Sequence, residues 1–308
     1  MVHEFNKETG IVVSMTRKGS GETFAQIWAE RKNPKGDVWW GGTGDAHIQA
    51  AEVDLTETYQ SPFLAHLHPW AIDPEGQGRY RMTGIYLGLL GFGYNREWLE
   101  KNKLPPPRAW NDLISPQYHG EVQMANPNSS GSAYTMLATI VQLYGEVAAF
   151  DYFRQLHKNI NQYTKSGVGP IKAAARGETG IGIAFMHDAF TERDAGFPME
   201  VVYPSDGTGY EIGGVSIIRG ARHVENARQW IDWALTAEAQ GLAAAAKSFQ
   251  TPSNKNALRP KDAPDPAHAK LINFDIKKYG SKSMRQYLLK RWHDTVKNQV
   301  INAHNNEP

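Results

Sequence analysis

The sequence predicts an α/β protein built as two lobes, and three observations predict it. Its 308 residues exceed what one ordinary hydrophobic core organises. Its first part alternates short apolar runs with segments of helical spacing. Two extended apolar segments, residues 84–94 (glycine-rich) and 210–218, read as strands crossing between the lobes.

Taken in order, residues 11–15 are a short apolar run after Thr9-Gly10 and read as a strand. Phe24, Ile27 and Trp28 recur at helical spacing behind Gly19-Ser20-Gly21-Glu22. Asp37-Val38-Trp39-Trp40 reads as a second strand, running into Gly41-Gly42-Thr43-Gly44-Asp45 and a helix through Ile48 and Ala51. Strand, helix, strand, helix is the arithmetic of a parallel sheet with helices on its faces. Prolines 105–107 precede a short helix near Trp110. A strand over 121–125 enters Asn126-Pro127-Asn128-Ser129-Ser130-Gly131-Ser132 and a helix with Met136, Leu137, Ile140 and Val141 on its apolar side. A helix over 167–176, a strand over 180–186, a helix from His187-Asp188 and a strand over 201–203 lead to the second crossing strand. Helices holding Trp230, Trp233 and Ala243 to Ala246 follow, then a last helix over 284–302 and a frayed tail over 304–308.

Composition removes several functions. Thirty-three basic against thirty-two acidic residues leave a net charge of +1, so no electrostatic footprint for nucleic acid exists and any anion site must be local. The absence of cysteine excludes disulfides, thiolate metal sites and Cys nucleophiles. No apolar run reaches the roughly 18 residues of a membrane span. Met1-Val2-His3-Glu4-Phe5 does not read as a signal peptide, so the address of the protein is not written in the chain. His47, His66, His68 and His119 lack a metal-site spacing, and no metal or cofactor is expected.

The chemistry concentrates in four small-residue loops, each just before a helix: Gly19-Ser20-Gly21, Gly41-Gly42-Thr43-Gly44, Ser129-Ser130-Gly131-Ser132 and Lys165-Ser166-Gly167-Val168-Gly169. A helix start offers unpaired N–H groups and partial positive charge, glycine admits a ligand to the backbone, and hydroxyls add donors. One such loop alone is ordinarily a helix cap; four after strands point to an anion site. None is a P-loop or a dinucleotide fingerprint. Lys165 is the cation best placed among them. At a strand–helix junction stand His187 and Asp188, with Glu211 at the start of the second crossing strand. Carboxylates grip vicinal hydroxyls, although Asp188 serves equally as a helix cap and Glu211 as a surface charge.

At residues 37–45 and 109–120 the chain resembles the ferric-iron-type branch of periplasmic binding proteins, whose members include iron, thiamine, phosphonate and sugar-phosphate receptors. The resemblance spans nearly the whole chain and implies a type II periplasmic-binding-protein fold. Each lobe is then a mixed sheet flanked by helices, residues 1–86 with 212–270 forming the first lobe and 87–211 with 271–308 the second. Iron receptors of the branch carry an adjacent tyrosine pair; Phe185-Met186-His187-Asp188-Ala189-Phe190 has none. His187, Asp188 and Glu211 look like the sugar end of the hexose-phosphate-binding members. By the same resemblance Ser20, Thr43, Gly44, Ser130, Gly131, Ser132, Ser166, Gly167 and Val168 form the phosphate end. The implied protein is a monomeric periplasmic solute receptor that delivers a small anionic sugar phosphate to an ABC permease. A ferric-ion or phosphonate receptor and, in another class, a sugar-phosphate isomerase using His187 and Glu211 as acid and base remain the alternatives. Family members open with a strand and loop before their first helix, whereas this chain begins within that helix, so a weakened first lobe and an incomplete site are expected.

Overall fold

In the computed structural model, which describes residues 1–297 apart from 75, 77, 262 and 264, the chain opens with α1 (Val2–Thr9) and α2 (Ser20–Glu30). β1 (Val38–Thr43), α3 (Gly44–Glu52), the single turn α4 (Pro69–Ile72), the long β2 (Thr83–Asn95) and α5 (Arg96–Lys101) follow. Next come β3 (Val122–Ala125), α6 (Gly131–Tyr144), α7 (Glu146–Asn159), β4 (Ile160–Thr164), α8 (Gly169–Ala175), β5 (Ile181–Phe185), α9 (Met186–Asp194) and β6 (Met199–Val202). β7 (Tyr210–Ile217), α10 (Val224–Ala234), α11 (Ala237–Ala245), β8 (Thr251–Pro252), α12 (Ile276–Gly280) and α13 (Lys282–Trp292) complete the described elements.

Backbone pairing runs through one strand order, β1-β7-β2-β5-β3-β4, with β6 and β8 also on β2. β2 is the join. Its first half pairs antiparallel with β7 (Thr83↔Val215 to Leu89↔Tyr210), and its second half pairs with β5 and β6 (Leu90↔Phe185, Phe92↔Val202). Among the described strands only β3 makes parallel pairs, with β4 and β5. Thus β2 and β7, the two segments expected to cross, lie side by side where the two halves meet.

The apolar side chains pack as separate cores on either side of that join. The larger gathers Phe92, Trp110, Tyr118, Phe150, Phe153 and Trp292 around α6, whose residues Gly131 to Val141 are all buried. A helix buried all round in this way, Ser132, Thr135 and Thr139 included, has to be central. A second core joins Phe5, Leu67, Ile85, Ile217, Trp230 and Ile231. There α10 buries Ala227, Trp230, Ile231 and Ala234, the i, i+3, i+4, i+7 stripe of an amphipathic helix. Phe5, the one buried residue of α1, meets the rings of Trp230 and Trp233 edge-on at 5.0 and 5.4 Å. Truncating such a side chain to Ala costs about 3–5 kcal/mol, so α1 is held chiefly by this contact.

Two expectations are corrected. Residues 11–15 form no strand: Val12 and Met15 are 80% and 73% exposed, and β-branched propensity without a partner strand does not organise a sheet. The strand–helix alternation of the first part does not yield parallel pairing either. β1 runs antiparallel to β7, about 175 residues away in sequence (Val38↔Ile217), a choice that local periodicity does not contain. The last helix is α-helical over Lys282–Trp292 and continues as a π turn over His293–Lys297; its expected end at 302 and the tail lie outside the described residues. No helix among the described residues is long and apolar enough to cross a membrane.

Candidate functional site

Each of the four small-residue loops does precede a helix: α2, α3, α6 and α8. Three of these helix starts meet at one place. Ser20, the first residue of α2, accepts a hydrogen bond from the Thr43 N–H, the N-cap of α3, at 3.1 Å. A Cβ at Gly131, the first residue of α6, would fall 2.3 Å from Thr43 Oγ1 and 2.8 Å from Ser20 Oγ. The fourth loop closes on the same place, because a Cβ at Gly167 would lie 2.4 Å from Ser132 Oγ and 3.0 Å from Ser130 Oγ. Ser130 and Ser132 share a hydrogen bond of 2.9 Å. Among the described residues the buried Thr43 Oγ1 has no hydrogen-bond partner. An orphaned buried hydroxyl costs about 1–3 kcal/mol unless something accepts or donates there.

The remaining residues of these loops sit at the margin. Gly44 faces Ile212 O and the Met82 side chain, so it contributes only its place at the start of α3. Ser166 is exposed, and its carbonyl accepts from Thr164 Oγ1 at 2.9 Å. Val168 is half-buried as the N-cap of α8. Lys165 is exposed and committed: its Nζ lies 2.8 Å from Glu22 Oε1. Asp45, in the first turn of α3, is likewise neutralised by the buried guanidinium of Arg285. The carboxylates that would oppose an anion at these helix starts therefore each hold a cation.

A second group lies where β2, β7 and α9 converge. Gly88 pairs with Glu211, and a Cβ at Gly88 would sit 2.9 Å from Glu211 Oε1 and 3.0 Å from the His187 ring. His187 Nε2 is 3.8 Å from Asp188 Oδ1, and its ring stacks on Phe185 at 5.7 Å. Among the described residues the buried His187 Nδ1 has no partner. Burial pushes the Glu211 carboxyl well above the usual carboxylate range, with the charges of Asp188 and then Asp45 adding to it. Burial raises Asp188 too, against His187, Arg17 and Lys172, and lowers His187 against Asp188. All three groups are thus driven toward their neutral forms, which both donate and accept hydrogen bonds.

Sequence reasoning missed the residue that spans the two groups. Tyr86 lies with its ring 6.2 Å from His187, packs on Gly213 and sets its hydroxyl against the Gly42 backbone. Burial, then Glu211 and Asp188, hold that hydroxyl protonated. Its signal was one aromatic among several in a glycine-rich strand, which reads as a connector. His47, by contrast, is structural: it donates from Nε2 to Gly41 O at 3.0 Å, accepts at Nδ1 from Ser216 at 2.8 Å and stacks on Trp39 at 3.9 Å. Burial pushes it down to about 4, so it stays neutral.

Converging helix starts beside two crossing strands are what a solute-binding protein of this fold needs, and residues 34–278 match the bacterial extracellular solute-binding protein family. The chain belongs to that family. The periplasmic binding protein AfuA from Actinobacillus pleuropneumoniae, solved with exogenous fructose-6-phosphate bound, is 45% identical, with a TM-score of 0.94 over 96% of this chain and 94% of that one. A Haemophilus influenzae protein described as uncharacterized is 46% identical over 295 residues, 95% of this chain and 85% of its own. Iron-bound HitA from Pseudomonas aeruginosa is 21% identical at a TM-score of 0.79 over 94% and 93% of the chains, a likeness in fold alone. The fold is that of a type II periplasmic binding protein, as the resemblance implied.

Proposed function

We propose that this chain is the solute-binding component of an ABC importer and captures a hexose phosphate between its lobes. The meeting of three helix starts around the unpartnered Thr43 hydroxyl carries the reading, and the likeness to a receptor solved with fructose-6-phosphate supports it. Ser20, Thr43, Gly44, Ser130, Gly131, Ser132, Ser166, Gly167 and Val168 hold the phosphate with N–H and O–H donors backed by helix dipoles. His187, Asp188 and Glu211 hold the sugar hydroxyls, and Tyr86 stands between the two ends. The lobes comprise residues 1–86 with 212–270 and 87–211 with 271–308; the separate cores around Trp230 and around Phe92 support that division. The receptor works in the periplasm as a monomer, and binding involves no chemical step.

A thermal-shift panel tests this. Glucose- and fructose-6-phosphate should each raise the melting temperature by several degrees, because a ligand at about 1,000 times its dissociation constant adds roughly 4 kcal/mol. Inorganic phosphate, free fructose, 2-aminoethylphosphonate and ferric citrate should leave it unmoved. A shift with ferric citrate or the phosphonate alone contradicts the reading. His187 and Glu211 both face the position a Cβ on Gly88 would take, at 3.0 and 2.9 Å, a placement an acid–base pair could also use, so the same mixtures are assayed for interconversion of the two sugar phosphates; turnover would replace the receptor by an isomerase.

A further inference from the structure

Gly19 and Gly21 stand at the start of α2 with no conformational need to be glycine. Gly19 has φ −69° and ψ 157°, open to any residue, and Gly21 lies inside the helix, where alanine is the better former. Their reason is steric and lies across the lobe boundary. A Cβ at Gly21 would fall 2.4 Å from the Asn128 carbonyl oxygen, and one at Gly19 would fall 2.5 Å from that of Ser129. Both obstacles are backbone, which does not swing aside as a side-chain tip does. Beside them the Glu22–Lys165 pair ties the first turn of α2 to the loop before α8, and Ser129 Oγ donates to Lys165 O at 2.9 Å, fixing that loop to the carbonyls the glycines meet.

We infer that Gly19 and Gly21 form a closure seam: two bare backbone positions of the first lobe that let it seat against the 128–129 backbone of the second. The seam positions Ser20 rather than touching solute, since Ser20, held to Thr43 of its own lobe, reaches Gly131 of the other only while its two neighbours lie flush with the opposite lobe. A side chain here leaves each lobe intact and blocks their approach. The inference rests on the lobe division proposed above and not on which solute fills the site.

The chain has no cysteine, so Glu22→Cys with Lys165→Cys supplies a single reactive pair across the seam. The rate of intramolecular crosslinking by a short bismaleimide, without solute, then reports how often the lobes close. Adding Gly21→Ala should slow crosslinking by about fivefold or more, roughly 1 kcal/mol against closure. Labelling of either cysteine alone by a monomaleimide should be unchanged, and the melting temperature should stay level or rise. No crosslinking with Gly21 in place, an unchanged rate with Gly21→Ala, or a melting temperature lowered by several degrees would each overturn the seam. Because no sugar phosphate is present, failure of the hexose-phosphate reading would show in the thermal-shift panel and not here.

Discussion

The two ends of the candidate site are built from opposite materials. At one end Ser20, Thr43, Ser130, Ser132 and the glycines offer hydroxyls and backbone, and the nearby charges Glu22 and Asp45 are each held by a cation. At the other, Glu211, Asp188 and His187 are all titratable and all pushed toward neutrality by burial. A site made of fixed dipoles recognises a compact anion through geometry and does not change with pH. One made of neutral acids and an imidazole reads the donor and acceptor pattern of hydroxyls and does change. The pairing suits a ligand that is ionic at one end and polyhydroxylic at the other.

The sharpest way to break this contrast is to remove space at the first end. Gly131→Val would drive side-chain atoms into Thr43 and Ser20, and the affinity for fructose-6-phosphate should fall about a thousandfold or more, beyond 4 kcal/mol, by calorimetry. Retained binding would show that the three helix starts do not form the anion site.

Glu211→Gln keeps the shape of the other end and removes its proton chemistry. Affinity should drop about 30- to 100-fold, the cost of one mismatched buried hydrogen bond to a polar ligand. Stability should move the other way. Glu211 binds its proton more tightly in the folded state than the ordinary value of 4.5, so its contribution is full in acid and is lost as pH climbs through the raised value. The ligand-free Gln variant should therefore melt above the parent at pH 8, the gap narrowing toward pH 4. His187, lowered from 6.5, has the opposite sign: its contribution is present above that value and is lost as pH falls through the lowered one.

Thr43→Val is smaller still, removing one hydroxyl of many at the anion end, and should weaken binding about tenfold with no pH dependence of the loss. Lys165→Met should change affinity less than about threefold, because its pair with Glu22 is mostly exposed. A larger loss would make Lys165 a direct partner of the anion.

The residues of the proposed anion end were legible as helix starts because their signal is local: small residues immediately before helical spacing, at Ser20, Thr43, Gly131 and Gly167. His187 and Asp188 were legible for the same reason, at a strand–helix junction. What escaped is what distance in the chain hides. Tyr86 reads as part of a connector until β7 brings Gly213 and Glu211 opposite it. The pairs Glu22–Lys165 and Asp45–Arg285 join residues 143 and 240 positions apart, and no periodicity marks them. Ile11 to Val13 misled for the converse reason, since strand propensity is local and a partner strand is not. Lys165 was read as the cation best placed for an anion because its pairing with Glu22, far away in the chain, is invisible to local inspection.

Titration calorimetry with fructose-6-phosphate, fructose and inorganic phosphate, each alone and in the same buffer, tests the two-ended site most directly. The account predicts that fructose-6-phosphate binds and that each half binds at least about a thousandfold more weakly, because neither half fills both ends. Inorganic phosphate binding as tightly as fructose-6-phosphate would contradict it, leaving His187, Asp188 and Glu211 without a role in recognition.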